Sequence, residues 1–237
     1  RWMSGLAGEA DARRAVLDCA RRMNGLGINH GKSGNVSMRW TRADRPGFVV
    51  TASGLPYEEA EPADLAWMPL DATDETDADG ACLPSSEWRF HRDCYRHRAD
   101  AAAIVHTHST HATALACLPR VQRDGIPPFH YMVAAAGGPD IRCARYETFG
   151  TQALSDAVVQ ALDARRACLL AHHGVIALGR GHGAAALSDA LALAVEVEAL
   201  ARAYAVSLSV GEPALLGADE MARVIERFKS YGRPRAR

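Results

Sequence analysis

Apolar residues recur every three or four positions near the start of the chain and form short runs further along. The spacing of Ala12, Val16 and Met23 predicts a helix over residues 9–24, which Gly25 would end. Further helices are predicted after residue 87 and over residues 110–118, 150–164, 183–208 and 219–231. Strands are predicted over residues 36–40, 47–51, 64–70, 101–108, 141–146, 167–171 and 175–178. Because strands and helices do not alternate strictly, the pattern favours a mixed or largely antiparallel sheet covered by helices.

The strand predicted over residues 101–108 carries two histidines two positions apart. Because strand side chains alternate between faces, His106 and His108 would share one side and could reach a single metal ion. Histidines with a carboxylate or water form an ordinary ligand set for catalytic Zn²⁺ and related ions. The alternative is that one or both are hydrogen-bonded core residues. A His-His-Gly sequence at 172–174 follows the predicted strand 167–171 and adds a further candidate ligand.

A Pro-Ser-Ser-Glu sequence ends at Glu87, directly before a predicted helix. Serine is a common helix N-cap, and an acidic residue in the first turn complements the helix dipole. Ser85 and Ser86 could therefore serve only as caps. Their hydroxyls and the N–H groups at the helix start could equally bind an anion such as phosphate, with Glu87 beside it. The local sequence leaves both interpretations open.

Composition and charge limit the classes of function. The chain has 237 residues, 48% of them hydrophobic, so we expect a single domain over 1–237 with a disordered basic tail at 232–237. The net charge of −1 gives no signal for nucleic acid or an anionic membrane as a partner, and no apolar run is long enough for a membrane helix. Six scattered cysteines without a CxxC pair favour free thiols and a cytoplasmic location.

Nine short motifs are spread over nearly the whole chain. They are GNVS (34–37), SGLPY (53–57), PSSEWRFH (84–91), VHTHSTHAT (105–113), HYMVAAAGG (130–138), YETFGT (146–151), LLAHHGVIA (169–177), EVEALA (196–201) and FKSYG (228–232). Their sequences and order resemble the class II aldolase/adducin family. The resemblance implies a three-layer α/β/α sandwich with a mixed, largely antiparallel central sheet. It also implies a cyclic C4 homotetramer with active sites at the subunit interfaces.

The resemblance further implies roles for individual residues. The ligands implied for one zinc ion per subunit, or for Mn²⁺ or Co²⁺ in its place, are His106, His108 and His173. Glu87 matches the general acid/base, which can also ligate the metal when substrate is absent. The matching phosphate-binding positions are Asn35, Ser53, Gly54, Ser85 and Ser86. Tyr131 and Tyr231 match catalytic tyrosines that act across the subunit interface.

The implied activity is reversible cleavage of a ketose 1-phosphate, of the L-fuculose 1-phosphate type. The products are dihydroxyacetone phosphate and an aldehyde such as L-lactaldehyde, formed through a metal-stabilised enediolate. We expect a partly dry site to raise the pKa of Glu87, although a metal would oppose this. A longer loop than usual at residues 118–125 leaves the aldehyde partner less certain than the chemistry.

Sibling activities of the family stay open as alternatives. They are another sugar-phosphate aldolase, a pentulose-phosphate 4-epimerase and a methylthioribulose-phosphate dehydratase. Glu87 favours an aldolase, because the epimerase has Asp at that position. A non-catalytic adducin-like interaction domain is disfavoured, since all three histidines are present together with Glu87.

Overall fold

The computed structural model describes residues 8–230, and a seven-stranded sheet lies at the centre of this part. The strands are β1 (Asn35–Arg39), β2 (Gly47–Val50), β3 (Ala66–Pro69), β4 (Ala103–Thr107), β5 (Cys143–Ala144), β6 (Ala167–Leu170) and β7 (Gly174–Gly179). Their order is β3-β2-β1-β4-β7-β6-β5, and every neighbouring pair is antiparallel except β5 and β6. The prediction of a mixed, largely antiparallel sheet is confirmed.

Helices cover both faces of this sheet. They are α1 (Glu9–Gly25), α2 (Trp88–His97), α3 (Thr110–Ala116), α4 (Pro119–Asp124), α5 (Gln152–Ala161), α6 (Gly183–Val210) and α7 (Ala218–Ser230). Short 3₁₀ turns lie at Pro62–Asp64, Glu75–Asp77 and Tyr131–Ala136. Strand alternation divides the core, so that Val105 and Ala177 pack with α1, α3 and α6, whereas Ile104 and Ile176 pack with α2 and α5. These are the three layers of the predicted sandwich.

Helix α2 begins immediately after Glu87, which is its N-cap residue. The hydroxyl of Ser85 accepts a hydrogen bond from the N–H of Glu87 at 3.3 Å, which closes the turn before the helix. Neither Ser85 nor Ser86 is the N-cap predicted from sequence, since Glu87 holds that position and no side chain caps the helix. The apolar side of the helix, with Trp88, Phe90 and Tyr95, is buried against the sheet. This packing fixes the first turn of α2, and with it the carboxylate, beside the end of β4.

Strand β4 ends one residue earlier than predicted. Thr107 pairs with Val175 of β7 in the last step of the ladder. The N–H of His108 instead donates to the side-chain oxygen of Asn29 at 3.0 Å. His108 therefore lies just beyond the strand, on the same end of the sheet as the side chain of His106.

A short helix occupies part of the segment predicted as a loop after residue 118. Pro119 stands in the first turn of α4, where its fixed φ suits a helix and its missing N–H costs nothing. Gly125 ends the helix with φ of +70°, and a side chain there would come within 2.4 Å of the carbonyl oxygen of Ile141. The helix was not predicted because the segment is mostly polar.

The backbone of the turn between β6 and β7 leaves little room for other residue types at two positions. His172 adopts a left-handed conformation with φ of +57°, which is rare for residues other than glycine. A side chain on Gly174 would approach the carbonyl oxygen of Thr107 to 2.2 Å. The N–H of His173 donates to the carbonyl of Leu170 at 3.0 Å, so the turn is tightly closed. It places His173 next to the end of β4.

Two predictions concern residues outside the described range. Tyr231 and the tail at 232–237 lie there, so the predicted catalytic role of the tyrosine and the predicted disorder of the tail stay predictions. The single domain expected over 1–237 stays a prediction as well. Within residues 8–230, no helix combines the length and the apolar character needed to cross a membrane.

Candidate active site

Three histidines meet at the end of the sheet where β4 stops and β7 starts. One ligand atom from each of His106, His108 and His173 lies within 4.8 Å of the other two. The Nε2 atoms of His106 and His108 are 3.0 Å apart, and the ring of His173 stands nearly perpendicular to both. Histidines far apart in sequence are thus brought together by the antiparallel pairing of β4 with β7.

The backbone of β7 fixes the tautomer of His106. Its Nδ1–H donates to the carbonyl oxygen of Val175 at 2.8 Å, which leaves the Nε2 lone pair directed at the cluster. Burial, together with the neighbouring histidines, lowers the pKa of His108 to about 3 and that of His173 to about 4. Both imidazoles are therefore neutral near pH 7, which is the form that binds a metal ion.

The carboxylate of Glu87 faces the same point. Its Oε2 lies 3.3 Å from Nε2 of His106, and its Oε1 lies 3.3 Å from Nε2 of His173. The side-chain amide of Asn35 donates to Oε2 at 2.9 Å, whereas the buried Oε1 has no hydrogen-bond partner among residues 8–230. A buried polar atom without a partner is uncommon in a folded protein, and here it is directed toward the three imidazoles.

The pKa of Glu87 is lowered, not raised as the sequence led us to expect. Burial does act upward on this carboxyl, as anticipated. Its interactions with the facing imidazoles of His106 and His173 and with the Asn35 amide outweigh burial and lower the pKa to about 2. Glu87 is therefore a carboxylate at neutral pH.

This donor set fits a divalent ion. Three imidazole nitrogens and one carboxylate oxygen approach a common point, which is the pattern of catalytic Zn²⁺ sites and of sites for similar metals. The outer nitrogen of His106 is held by a backbone carbonyl and one oxygen of Glu87 by an amide, as is usual around metal ligands. The geometry does not discriminate among Zn²⁺, Mn²⁺ and Co²⁺.

A cavity of about 330 Å³ opens beside the histidines and is lined by all the predicted phosphate positions. They are Asn35, Ser53, Gly54, Ser85 and Ser86. We call these five positions the phosphate cradle, and two backbone hydrogen bonds hold its segments together. The N–H of Ser53 donates to the carbonyl of Leu83 at 3.0 Å, and the N–H of Ser85 donates to the carbonyl of Thr51 at 2.9 Å. Those two N–H groups are engaged, so Ser53 and Ser85 offer a ligand their hydroxyls.

Several residues to which the sequence analysis gave no role also line this cavity. Tyr146 and Phe149, 60% and 66% exposed, bring aromatic surface to it, and His172 and Lys32 are among the others. Gln122 of α4 donates to Nε2 of His172 at 2.8 Å, so the longer loop reaches the cavity wall. The one available signal was composition: Lys32 is one of only two lysines among 27 basic residues.

Tyr131 does not lie with the other predicted site residues in this chain. It is 51% exposed and lines a separate cavity with Phe129, His130, Met132 and residues of α7. His111 is also outside the metal cluster. Its N–H and Nδ1 contact the carboxylate of Glu198, which caps the start of α3.

A family model, related sequences and a solved structure all point to the same family. The model of the family described as Class II Aldolase and Adducin N-terminal domain matches residues 14–205. A 5-methylthioribulose-1-phosphate/5-deoxyribulose-1-phosphate aldolase of Rhodospirillum rubrum is 47% identical over 220 residues, covering 93% of this chain and 92% of the relative. An L-fuculose phosphate aldolase of Escherichia coli K12 is 43% identical, covering 92% and 94%. A solved L-fuculose 1-phosphate aldolase superposes with a TM-score of 0.82 at 34% identity, covering 92% and 96%.

Proposed function

The chain belongs to the class II aldolase and adducin family and is an aldolase, and we propose that it cleaves a ketose 1-phosphate reversibly to dihydroxyacetone phosphate and an aldehyde. One observation carries the proposal. A cluster of three histidines and Glu87 and a cradle lined by serine hydroxyls share a single cavity. A substrate with a phosphate at one end and adjacent keto and hydroxyl oxygens matches both parts.

A divalent ion held by His106, His108 and His173 would act as a Lewis acid toward the substrate's keto and hydroxyl oxygens. The metal dependence of class II aldolases agrees with this donor set, and we propose Zn²⁺ as the ion. Asn35, Ser53, Gly54, Ser85 and Ser86 would hold the phosphate and thereby orient the bond that breaks. Ser85 and Ser86 immediately precede Glu87, so three successive residues would hold the phosphate and supply the acid/base.

Glu87 is placed to move a proton at the reacting carbon. In the cleavage direction the C3–C4 bond breaks and its electron pair stays on C3. Cleavage also releases the proton of the C4 hydroxyl as the aldehyde forms. Because Glu87 is ionised in the free site, it must first take up a proton and then passes it to C3, which becomes the hydroxymethyl carbon of dihydroxyacetone phosphate. In synthesis the carboxylate removes that proton, and its low pKa keeps it in the ionised form that can accept one. Tyr131 would exchange a proton with the aldehyde oxygen.

For Tyr131 to do so it must come from another subunit. In the single chain it lies in a different cavity from Glu87 and is half exposed. Members of the family are commonly oligomeric, and we propose a cyclic homotetramer in which Tyr131, and Tyr231 at the C-terminal end, complete a neighbour's site.

We propose that the substrate is a ketose 1-phosphate with an apolar far end. The two relatives act, by name, on methylthio- or deoxyribulose 1-phosphate and on fuculose phosphate. Each of these sugars ends in a methyl or methylthio group at the carbon farthest from the phosphate. The aromatic surface of Tyr146 and Phe149 in the cavity suits such a group. The L-fuculose ester expected from the sequence is thus one of three candidates, and another sugar-phosphate aldolase activity is equally supported.

The test is release of dihydroxyacetone phosphate from all three esters, with and without a chelator and after metal is added back. Cleavage of 5-deoxyribulose 1-phosphate should leave acetaldehyde, cleavage of 5-methylthioribulose 1-phosphate should leave (methylthio)acetaldehyde, and cleavage of L-fuculose 1-phosphate should leave lactaldehyde. We expect chelator-sensitive cleavage of at least one ester. Metal-loaded protein that isomerises or dehydrates these esters without releasing dihydroxyacetone phosphate would contradict the proposal.

A further inference from the structure

A buried chain of hydrogen bonds runs from the core to Glu87. The hydroxyl of Tyr95 lies 2.7 Å from that of Ser37, which lies 2.7 Å from Nδ1 of His91. Nε2 of His91 lies 2.5 Å from the side-chain oxygen of Asn35, whose amide nitrogen reaches Oε2 of Glu87 at 2.9 Å. All five residues are buried, and the aromatic rings of Phe48 and Phe90 pack against His91.

The orientation of the Asn35 amide fixes the direction of every bond. Its nitrogen donates to Oε2 of Glu87, so its oxygen is the atom that faces Nε2 of His91 and accepts. Nε2 of His91 must therefore carry a hydrogen. With a neutral ring, Nδ1 accepts from the Ser37 hydroxyl, whose oxygen in turn accepts from Tyr95. Every donor thus points toward the carboxylate.

Burial keeps the chain in this state. It lowers the pKa of His91 to about 3 and raises the pKa of Tyr95 far above its usual range, so both groups are neutral near pH 7. Reversing Asn35 would set its oxygen against Oε2 of Glu87 and its amide against the N–H of His91. Because both contacts would then be repulsive, His91 holds the Asn35 amide in one orientation.

We propose that His91 is a positioning residue for the reaction: through Asn35 it ties down Oε2 of Glu87 and leaves Oε1 as the oxygen that exchanges the proton. This rests on the proposed role of Glu87. Within the described part of the chain Oε1 has no hydrogen-bond partner and Oε2 has one, so the two oxygens are already distinguished. A carboxylate free to rotate would spend less time in the reactive orientation.

The direction of the chain can be tested without any activity measurement. Long-range ¹H–¹⁵N NMR of the metal-loaded enzyme labelled at histidine should show His91 as a neutral ring with hydrogen on Nε2 between pH 8 and 5. The signal is assigned by its loss in His91→Gln. A ring with hydrogen on Nδ1, or one that becomes charged by pH 6, would overturn the proposal even if the protein is an aldolase.

The consequence for catalysis is tested by kinetics on the metal-loaded enzyme. His91→Met fills the site but can neither donate nor accept, and we expect kcat to fall about 10- to 100-fold with little change in KM or metal content. His91→Gln keeps an amide donor and an acceptor and should recover most of that loss. Tyr95→Phe removes only the last donor and should lower kcat a few-fold.

His97→Gln, on the same helix but outside the chain of hydrogen bonds, is the matched control and should behave as wild type. If His91→Met keeps wild-type kcat, or if His91→Gln is no better than His91→Met while both melt like wild type, His91 has no positioning role. Failure of the wild-type enzyme to cleave any ester would count against the proposed function, while the NMR result would still decide the direction of the chain.

Discussion

The two ends of the proposed reaction are built in different ways. The metal-binding end consists of buried side chains carried by strand ends and tight turns of one chain, as with His106 and Glu87. The aldehyde end depends on exposed aromatic groups in loops, and Tyr131 lies in a separate cavity of the same chain. The comparison separates what one folded chain can fix by itself from what needs an assembly. We infer that proton abstraction is a property of the subunit, and that aldehyde handling is a property of the interface.

The sharpest test of the metal end uses two adjacent histidines. His173→Asn should abolish stoichiometric metal binding and lower kcat/KM by more than about 10³-fold, because three donors no longer surround the ion. His172→Asn changes the same residue type one position away and should retain the metal. Metal content by mass spectrometry, with kinetics at saturating metal, measures both. Equal metal loss in the two variants would mean that the turn, rather than the His173 ligand, was damaged.

Replacing the proposed base should separate metal binding from turnover. Glu87→Gln keeps the shape of the side chain but cannot take up a proton, so kcat should fall about 10²- to 10⁴-fold. The metal should stay bound, because the three histidines are unchanged. Glu147→Gln is the control, since Glu147 lines the same cavity at its exposed edge. Near-normal turnover of Glu87→Gln would remove the carboxylate from the mechanism.

The role of Tyr131 tests whether the second end belongs to the assembly. Tyr131→Phe should lower kcat about 10- to 100-fold without loss of metal, since only the phenolic hydroxyl that would exchange the proton is removed. Mixed oligomers of Tyr131→Phe and Glu87→Gln subunits should regain part of the activity, because some interfaces pair an intact glutamate with an intact tyrosine. If mixing restores nothing although the subunits exchange, Tyr131 does not act across an interface.

Some of this arrangement was predictable from sequence, and the part that was not has a physical reason. The spacing of His106 and His108 placed two imidazoles on one side of a strand, which follows from strand periodicity alone. The His-His-Gly sequence at 172–174 was a candidate ligand from its place after a predicted strand, but only the resemblance selected His173, because pairing between β4 and β7 joins segments about 70 residues apart. The direct pairing of Asn35 with His106 in the β1–β4 ladder was likewise invisible locally, so the contact of Asn35 with Glu87 was missed.

The loops were the least predictable part. Ser85 and Glu87 belong to a helix start with a recognisable pattern, whereas the approach of Tyr146 and Phe149 to the cavity depends on how a loop packs after the sheet has formed. The pKa of Glu87 was predicted in the wrong direction for a similar reason. Burial could be anticipated from sequence, but the imidazoles and the amide that the fold brings around the carboxyl could not.

Buried His91 should leave a signature in stability. Its pKa is about 3 in the folded chain and near 6.5 when unfolded, so between these values unfolding takes up a proton. The free energy of unfolding should therefore fall as the pH drops, by about 2 kcal/mol between pH 6.5 and 5. The measurement is urea unfolding of wild type and His91→Gln across this pH range. After the pH dependence common to both proteins is subtracted, the decrease in the free energy of unfolding should remain only in the wild type. Parallel pH profiles would mean that His91 is protonated in the folded state.

The smallest effect is expected at the exposed mouth of the cavity. Lys32 is the only Lys or Arg among the described residues that line it, so its charge should attract a dianionic phosphate. Because Lys32 is exposed, solvent and salt screen this attraction, and Lys32→Gln should raise KM about two- to five-fold at low salt with kcat unchanged. Lys32→Arg keeps the charge and should behave as wild type. The difference should vanish near 0.5 M salt, where about 4 Å of solvent screens an exposed charge. A KM change that persists at about 0.5 M salt would mean that Lys32 contacts the phosphate directly, away from solvent. The phosphate site would then include Lys32 as well as the serine hydroxyls.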